Sequence, residues 1–301
     1  MINISVVISA FNEEKMTGGC LESVKILADE IIFIDNSSYD KTKTIAQKYT
    51  KKVFTVPNDP VMLNKNKNYG FERATGKWIL SLDADERITP ELTDEIKIII
   101  KNTDINGFEI PRKNIIFGKW IENSIWWPDY NLRLFRKNYG RFPQKHVHEK
   151  LDVKGKTSRL ENPIIHYNYQ TISQFIKKMD NTYTESEVEN FIKLGKSINW
   201  YDAIRFPLSD FLKTFFSQKG YRDGMHGLVL SILQAFYSFV IFAKIWERQE
   251  NFRDITPENF LQSFTREIKA QSRDLKYWIY TALIEESKFN KVIYKIKRKF
   301  R

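Results

Sequence analysis

The chain has one cysteine, Cys20, among its 301 residues, so no disulfide can form within it. This cysteine content is consistent with a reducing compartment. No repeat of fixed period and no low-complexity linker occurs in the sequence. The apolar run Ile4 to Ala10 lacks the basic leader of a secretory signal and is soon followed by the polar residues Asn12-Glu13-Glu14. These absences argue against a disulfide-stabilised secreted domain and a repeat protein, and they favour a cytoplasmic location.

Basic residues outnumber acidic ones by 48 to 37, which gives a net charge of +11. Such a surface favours anions, and nucleic acid, anionic lipid and nucleotide-sugar phosphates all qualify. No recognised nucleic-acid-binding motif is present, so nucleic acid is not an expected partner. The length suits one domain of about 200 to 250 residues with an appendage, or two domains.

Strand and helix patterns alternate along the first hundred residues. This alternation of strands and helices predicts an α/β fold with a doubly wound, mainly parallel sheet. The predicted strands are Asn3–Ser9, Glu30–Asp35, Lys52–Val56 and Lys77–Asp83, and the predicted helices are Gly18–Glu30, Asp40–Tyr49, Asn64–Ala74 and Pro90–Lys101.

The fourth of these strands stops on a cluster of carboxylates, Asp83, Asp85 and Glu86. Ligands of open α/β sheets bind outside the carboxyl ends of the strands, and a pair of aspartates can hold Mg²⁺ together with substrate phosphates. The alternative is a solvated acidic turn. Two other strands also end in polar residues, at Glu13 and Asp35, which favours a single ligand-binding crevice.

Four blocks of sequence resemble glycosyltransferase family 2. They are Ile8–Glu14, Ile34–Thr42, the Asn68-x-Gly-x3-Ala-x-Gly76 pattern and Leu82–Glu86, in the order that the family has them. The resemblance implies the GT-A fold and transfer of a sugar, with inversion, from a nucleotide donor.

The resemblance also implies roles for individual residues. Phe11 and Glu13 would line the nucleotide base, and Asp35 would hydrogen-bond its edge, with uracil as the expected base. Asp83 would lie near the ribose and the donor sugar, and Asp85 would bind the Mg²⁺ or Mn²⁺ that bridges the diphosphate. The donor-binding set is completed by two residues of the matching blocks, Ser9 and Asn68. Ser9 departs from the proline that many members carry, so the conformation of the following loop is open.

A second resemblance extends to about His166. The block from Trp120 to Asp129 and the His146-Val-His-Glu-Lys150 block are similar to the subgroup that includes lipopolysaccharide core β-1,4-glucosyltransferases. This subgroup implies a glycan or glycolipid acceptor in the synthesis of a cell-surface polysaccharide or lipopolysaccharide.

An inverting transferase needs a base for the acceptor hydroxyl and a cationic clamp for the leaving diphosphate. We predict Glu149 as the base, flanked by two histidines, with Asp129 as the second candidate; a surface ion pair with Lys150 is the alternative for Glu149. The cations Arg133, Arg136 and Lys150 could add to the clamp.

Three further side chains are candidates for the site. His166 is predicted near the metal or the diphosphate, or as a histidine at the edge of the core. Trp126 and Trp127 are predicted to stack on an acceptor sugar, or to pack as ordinary core.

The second half, residues 171–301, is predicted as a helical region after a catalytic domain of residues 1–170. Residues 227–246 carry no acidic or basic side chain before Lys244 and could pack on the protein, lie in the membrane interface or span the membrane, of which we favour the interface. The tail 288–301 has seven basic residues and no acidic one, which suits the anionic inner face of a membrane, although a frayed terminus is the alternative. A long helix in this region could also form a homodimer.

Three other functions remain open from the sequence. A polyprenyl-phosphate glycosyltransferase would keep the fold and change the acceptor. A sugar-phosphate nucleotidyltransferase is disfavoured because the first loop, Ala10-Phe-Asn-Glu-Glu14, is not a basic, glycine-rich phosphate loop. A non-catalytic glycan-binding or scaffold protein is the third.

Overall fold

A computed structural model describes residues 3–59, 63–144 and 150–299. The chain divides into two compact units. The first comprises Met1–Trp120 and Trp126–Thr171, and the second comprises Ile121–Ile125 and Ile172–Arg301.

The first unit is built on a twisted, mixed sheet. Its strands are β1 (Ile4–Ala10), β2 (Glu30–Asp35), β3 (Val53–Thr55), β4 (Trp78–Asp83), β5 (Glu86–Ile88), β6 (Gly107–Ile116), β7 (Lys119–Trp120), β8 (Asp129–Arg136), β9 (Gly140–Arg141), β10 (Asp152–Val153), β11 (Thr157–Arg159) and β12 (Ile164–Tyr169). The order is β3-β2-β1-β4-β8-β6-β12-β5, with β7 and β11 also paired to β6, while β9 and β10 form a separate hairpin.

The first four strands in this order run parallel, and β8 then joins β4 antiparallel. Helices α1 (Glu14–Val24), α2 (Thr42–Ala46), α3 (Leu63–Arg73) and α4 (Pro90–Ile99) connect the early strands. The predicted α/β fold with a mainly parallel central sheet, of the GT-A type, is confirmed.

Strand β1 shows why the early strands read as unbroken apolar runs. Ile8 packs into a core cluster on one face of the sheet, together with Leu21 of α1 and Leu92 of α4. Val7 packs into a second cluster on the other face, together with Phe71 of α3. Both faces are therefore covered, as parallel sheets require.

Helix α1 begins four residues before the predicted position. Asn12 has a left-handed φ of 54°, which turns the chain sharply after β1. The carbonyl of Glu13 then accepts the first helical hydrogen bonds, from the backbone N–H groups of Met16 and Thr17. The helix continues through Gly18, where the periodicity had suggested its start.

A buried carboxylate, Glu30, ties together the amino ends of three parallel strands. It accepts hydrogen bonds from the Ser5 hydroxyl on β1, from the backbone and side chain of Thr75 before β4, and from Lys52 before β3. Burial alone would raise the pKa of Glu30, but these hydrogen bonds outweigh it and lower the pKa to about 2. The backbone at position 76 lies so close to β1 that glycine is required there, because a Cβ would lie 2.8 Å from the Ser5 nitrogen.

Beyond Asp83 the chain turns, and β5 follows after two residues as the last strand in the order of the sheet. There it pairs antiparallel with β12, with Glu86 opposite His166. The backbone N–H of Tyr167 donates to the Asp85 carbonyl at 2.9 Å. The carboxylate cluster that ends β4 is thereby placed beside β12.

The second unit is helical. It comprises α5 (Ile172–Lys178), α6 (Thr184–Lys193), α7 (Asp202–Phe211), α8 (Met225–Glu250), α9 (Phe260–Glu286) and α10 (Lys291–Lys299), with π-helical turns at Met179–Tyr183 and Leu212–Ser217. Before α9, the backbone N–H and the hydroxyl of Thr256 donate to the Asp254 carboxylate, and the helix begins at Phe260.

Helix α8 corresponds to the apolar run at 227–246. It is the one helix of the described ranges whose length and composition would suit a membrane span, and 28% of its apolar window is buried. Polar contacts nevertheless hold one side of it to the protein. Ser238 donates to Asp210, and the Lys244 ammonium contacts Asp180 at 2.8 Å and Glu185 at 2.7 Å. These contacts favour packing over spanning.

Candidate active site

Asp83, at the carboxyl end of β4, is held between two cations. One carboxylate oxygen lies 2.7 Å from the Lys67 ammonium on α3, and the other lies 3.0 Å from the Arg133 guanidinium on β8. Burial would raise the pKa of Asp83, but Lys67 and Arg133 outweigh it and hold the pKa well below its usual range. Asp83 is therefore ionised at any physiological pH.

Arg133 reaches this position through an irregularity in its strand. Phe108 of β6 pairs with Leu134, but the next residue, Glu109, pairs with Leu132, so Arg133 has no partner across the β6–β8 ladder. Such a bulge re-aims a side chain. Arg133 is buried, and its guanidinium also lies 2.5 Å from the Glu86 carboxylate.

Glu86 is fully buried and acts as a structural anchor for the acidic turn. One oxygen accepts the backbone N–H of Asp83 at 2.9 Å. The other oxygen pairs with Arg133 and lies 3.8 Å from Arg112. The predicted third carboxylate of the cluster thus faces the interior, where it fixes its neighbours and is not available to a ligand.

The charged side chains form one series of alternating sign, which runs through Lys67, Asp83, Arg133, Glu86, Arg112 and Asp129. Arg112, which completes the surroundings of Glu86, also binds Asp129 through two nitrogens, Nε at 2.8 Å and a terminal nitrogen at 2.5 Å. The second oxygen of Asp129 accepts from Asn131 at 2.8 Å. Both carboxylate oxygens are engaged by neighbouring side chains, so the geometry favours a positioning role for Asp129, whose role as a base stays a prediction.

Asp85, in the turn between β4 and β5, faces His166 on β12. The imidazole Nε2 lies 3.5 Å from an Asp85 carboxylate oxygen. On its other side, the ring Nδ1 lies 2.7 Å from the Asn114 side-chain oxygen. His166 and its partner Asn114 are both buried.

The surroundings of Asn114 fix which nitrogen of His166 carries the proton. The Asn114 amide nitrogen donates to the Trp126 carbonyl at 2.8 Å, so its oxygen must face the imidazole. An amide oxygen only accepts, which assigns the proton to Nδ1. The lone pair of Nε2 in the neutral ring then points toward Asp85, as a metal ligand requires.

Within the described ranges, no group of three or more histidine, cysteine, aspartate or glutamate residues is arranged to hold a metal ion. Asp85 and His166 together offer one oxygen and one nitrogen, a donor set that suits Mn²⁺ and, less well, Mg²⁺. A cation here would complete its coordination with diphosphate oxygens and water. The residues present fit a divalent cation that is shared with a substrate.

Asp35 marks the other side of the crevice. It is 1% exposed, and one of its oxygens accepts the Ser38 N–H at 3.3 Å. Its other oxygen is buried and has no hydrogen-bond partner among the residues that the structure describes. A buried carboxylate oxygen without a partner is costly, so this atom is suited to accept a hydrogen bond from a ligand.

The first loop lies beside Asp35. The Phe11 ring is 38% exposed and stands edge-on to Tyr39, with 5.9 Å between ring centres. Ser9 accepts a hydrogen bond from Asn36 at 3.0 Å, which ties β1 to the loop after β2. Phe11 and Glu13 remain predicted donor-binding residues.

Asn68 is engaged by the protein itself. Its amide nitrogen donates to the Phe142 carbonyl at 2.9 Å, and its oxygen accepts the Phe142 N–H at 3.0 Å. This pairing favours a structural role that holds α3 against the segment after β9. The predicted part of Asn68 in donor binding stays a prediction.

The aromatic candidates lie next to the histidine network and are half-buried. Trp126 stands edge-on to Tyr169 at 6.2 Å, and Trp127 stands edge-on to Trp120 at 5.5 Å. Because the Trp126 carbonyl holds Asn114, this segment is anchored directly beside His166.

Two predicted members of the clamp are placed differently from Arg133. Arg136 pairs across β4 with Trp78, at the opposite end of that strand from Asp83. Its guanidinium donates to the carbonyls of Thr103 and Ile105, so its predicted contribution to the clamp is wrong. Lys150 is exposed, and Glu149 with its flanking histidines His146 and His148 lies outside the described residues.

Sequence comparison decides the family. The profile of Glycosyl transferase family 2 matches residues 5–184, more than half of the chain. The chain belongs to glycosyltransferase family 2. The sheet from Ser5 onward, the acidic turn, β12 and helix α5 all lie within the matched range.

Two relatives and one solved structure are among the proteins that this glycosyltransferase is similar to. An uncharacterized glycosyltransferase of Rickettsia typhi is 28% identical over 90% of this chain and 96% of its own length. The lipopolysaccharide core biosynthesis glycosyltransferase LpsC of Rhizobium meliloti is 26% identical over 81% of this chain and 92% of its own. The structure of S. aureus TarS 1-349 in complex with UDP-GlcNAc is similar with a TM-score of 0.45, at 14% identity, over 81% of this chain and 92% of that one.

Lys67, Arg112 and Asn114 are the residues of this site that the sequence patterns did not indicate. For Lys67 a signal existed, because it directly precedes Asn68, the first residue of a block that resembles the family. Arg112 and Asn114 lie in a strand whose position in the sheet was not predictable from its own sequence.

Proposed function

We propose that this glycosyltransferase moves a sugar, with inversion, from a UDP-sugar to a glycan or glycolipid acceptor in the synthesis of a cell-surface polysaccharide or lipopolysaccharide. The observation that carries the proposal is the grouping of Asp35, Asp83 and Asp85 at one edge of the sheet. In the register, Asp35 lies opposite Ala10 and Asp83 lies opposite Ser9, on either side of β1. Two strand spacings, about 10 Å, separate them, which suits a nucleoside laid across the end of β1.

The nucleotide would be oriented by Asp35. A uracil ring presents an N–H group at its edge, and the unpartnered oxygen of Asp35 is an acceptor at the right end of β2. The ribose would then lie over the end of β1, toward Asp83. Lys67 and Arg133 keep Asp83 ionised and in one rotamer, so its oxygens are fixed acceptors for sugar hydroxyls.

Asp85 and His166 would hold the divalent cation. When bound, it supplies a Lewis acid that stabilises the charge of the leaving diphosphate. The protein's own contribution is orientation: Asn114 holds the His166 ring with Nε2 toward Asp85, and β5–β12 pairing holds the two backbones together.

The acceptor hydroxyl needs a base, and we assign this role to Glu149. Its carboxylate takes the hydroxyl proton while the hydroxyl oxygen attacks the anomeric carbon. The bond from that carbon to the diphosphate breaks on the opposite face, and the nucleoside diphosphate leaves. The half-buried rings of Trp126 and Trp127, anchored beside His166, would stack on the acceptor sugar.

Ligand-dependent stability tests the donor and the metal together. UDP, GDP, TDP and CMP are each added with and without Mn²⁺, and thermal unfolding is followed. A ligand at a hundredfold excess over its Kd raises stability by about 2.7 kcal/mol. We expect a metal-dependent shift with UDP alone, lost in Asp85→Ala and kept in Asp104→Asn, which changes an exposed acid paired with Lys156. No shift with any nucleotide would contradict the proposal and favour a non-catalytic role.

The Glu149→Gln variant tests the base. We expect transfer to fall by about two to four orders of magnitude while the UDP-dependent shift stays unchanged. A mild loss would argue for an acceptor that needs no strong base, such as a polyprenyl phosphate. Normal turnover would exclude Glu149 as the base.

A further inference from the structure

Helix α10 is attached to the second unit along one side only. The Tyr294 ring packs against Tyr280 of α9, with 6.4 Å between ring centres. One turn later, the Arg298 guanidinium lies 5.4 Å from the Tyr277 ring and donates to the Thr281 hydroxyl at 3.2 Å. These contacts, four residues apart on the helix, fix which face of α10 points toward the protein.

The face that points away is apolar. Phe289, just before the helix, is 92% exposed, Val292 is 69% exposed, and Ile293 and Ile296 are each 51% exposed. The spacing of Val292, Ile293 and Ile296 places these three within about 100° of one another around the helix axis, on the side away from Tyr294. None of the described residues covers this face.

Cations border the apolar face. From Lys288 to Lys299 the chain carries six basic residues and no acidic one. Lys295 and Lys299 fall along one border and Lys297 falls along the other, by the same helical geometry, and Lys288 precedes the helix. All four are exposed. Their long side chains can therefore extend to either side of the apolar strip.

We propose that this outward face of α10 binds an anionic bilayer surface, with the helix lying in the interface. An apolar strip bordered by lysines complements acyl chains below and acidic headgroups at the side. Nine helical residues, about 14 Å long, are too few to cross a bilayer. A protein groove would match the apolar strip, but it would need acidic residues along both borders to match the lysines.

This attachment goes beyond the transfer reaction and does not depend on it. It would hold the enzyme on the membrane face where a lipid-linked acceptor is presented. The catalytic residues proposed above all lie in the first unit, so a failure of the membrane proposal would leave the transferase proposal intact.

Vesicle co-sedimentation of the full chain tests the proposal. One set of vesicles is phosphatidylcholine alone, and the other contains about one third phosphatidylglycerol. We expect binding to the anionic vesicles that is at least about tenfold tighter than to the neutral ones and is largely lost in 0.5 M salt, because the screening length falls below the lysine–headgroup separation. Absence of binding, or equal and salt-independent binding to both, would overturn the proposal.

Two variants locate the surface. Ile293→Ser with Ile296→Ser should weaken binding to anionic vesicles by about twentyfold, since both side chains lose apolar contact with the bilayer. Ile98→Ser, at a 69% exposed position of α4 in the first unit, is the matched control and should bind as the unmodified chain does. Equal binding by the α10 variant would refute the assignment. Binding of RNA in place of anionic vesicles would refute it as well, and would assign the cations to nucleic acid.

Discussion

The buried carboxylate Glu30 allows the pH dependence of stability to be predicted quantitatively. Its pKa falls from 4.5 in the unfolded chain to about 2 in the fold, through hydrogen bonds from Lys52, Ser5 and Thr75 that outweigh burial. Since the folded pKa is the lower one, the stabilisation is complete above pH 4.5 and is lost as the pH falls toward 2. A difference of this size corresponds to about 3 kcal/mol. Because Lys52 is half-exposed, about 2 to 3 kcal/mol is expected.

The perturbation is Glu30→Gln, which keeps the shape of the side chain and removes its charge. Urea unfolding of both proteins at pH 7, 5, 4 and 3 gives the difference in unfolding free energy at each pH. We expect the variant to be less stable by about 2 to 3 kcal/mol at pH 7, and the difference to shrink steadily below pH 4.5. Glu22→Gln, which removes an exposed pair with Lys25, is the control and should show no comparable change.

Two outcomes would refute the reasoning for Glu30. A stability difference that stays constant from pH 7 to pH 3 would mean that the variant suffers from altered hydrogen bonding, with no contribution from ionisation. No difference at any pH would mean that the carboxylate is no better stabilised in the fold than in the unfolded chain.

The remaining predictions concern the active site. Arg133→Met should lower the urea-measured unfolding free energy by about 3 kcal/mol, because buried Glu86 loses its nearest cation and keeps only Arg112 at 3.8 Å, and Glu86→Gln in the same chain should restore part of it; unchanged stability would contradict this. Asn114→Leu should shift the proton of His166 between ring nitrogens, visible in nitrogen-15 NMR of the metal-free protein, and weaken Mn²⁺ binding about 10- to 100-fold; an unchanged imidazole spectrum would refute the positioning role. Trp127→Ala should raise the acceptor KM and leave the donor KM unchanged, whereas unchanged acceptor affinity would favour simple packing.

The parallel half of the sheet was predictable because its information is local. Each strand is an apolar run, each connecting helix has its own periodicity, and β1, β2 and β3 are neighbours in the sheet in the order in which they follow one another along the chain. Asp35 and Asp83 could therefore be assigned to the same sheet edge from sequence alone. The family resemblance added the roles of individual side chains.

The antiparallel half was not predictable in the same way. The pairing of β12 with β5 joins residues far apart in sequence, and no local pattern records such a partner. The direction of the Arg133 side chain depends on a one-residue bulge between β6 and β8. The pattern of Leu132 and Leu134 is also compatible with a regular strand, so the sequence grouped Arg133 with Arg136, although the structure places Arg133 beside Asp83 and Arg136 beside Trp78, at the other end of β4.

The order in which the polypeptide is synthesised gives the β5–β12 pairing a further consequence. Asp85 leaves the ribosome with the parallel half of the domain, whereas His166 follows only after β6 and β8 have been made. If these two residues hold the cation as proposed, a nascent chain that ends before β12 can form its nucleoside-binding strands but has only half of its metal ligands. Cation capture would then be the last step in maturation of the domain, and an incomplete chain would not assemble a working site.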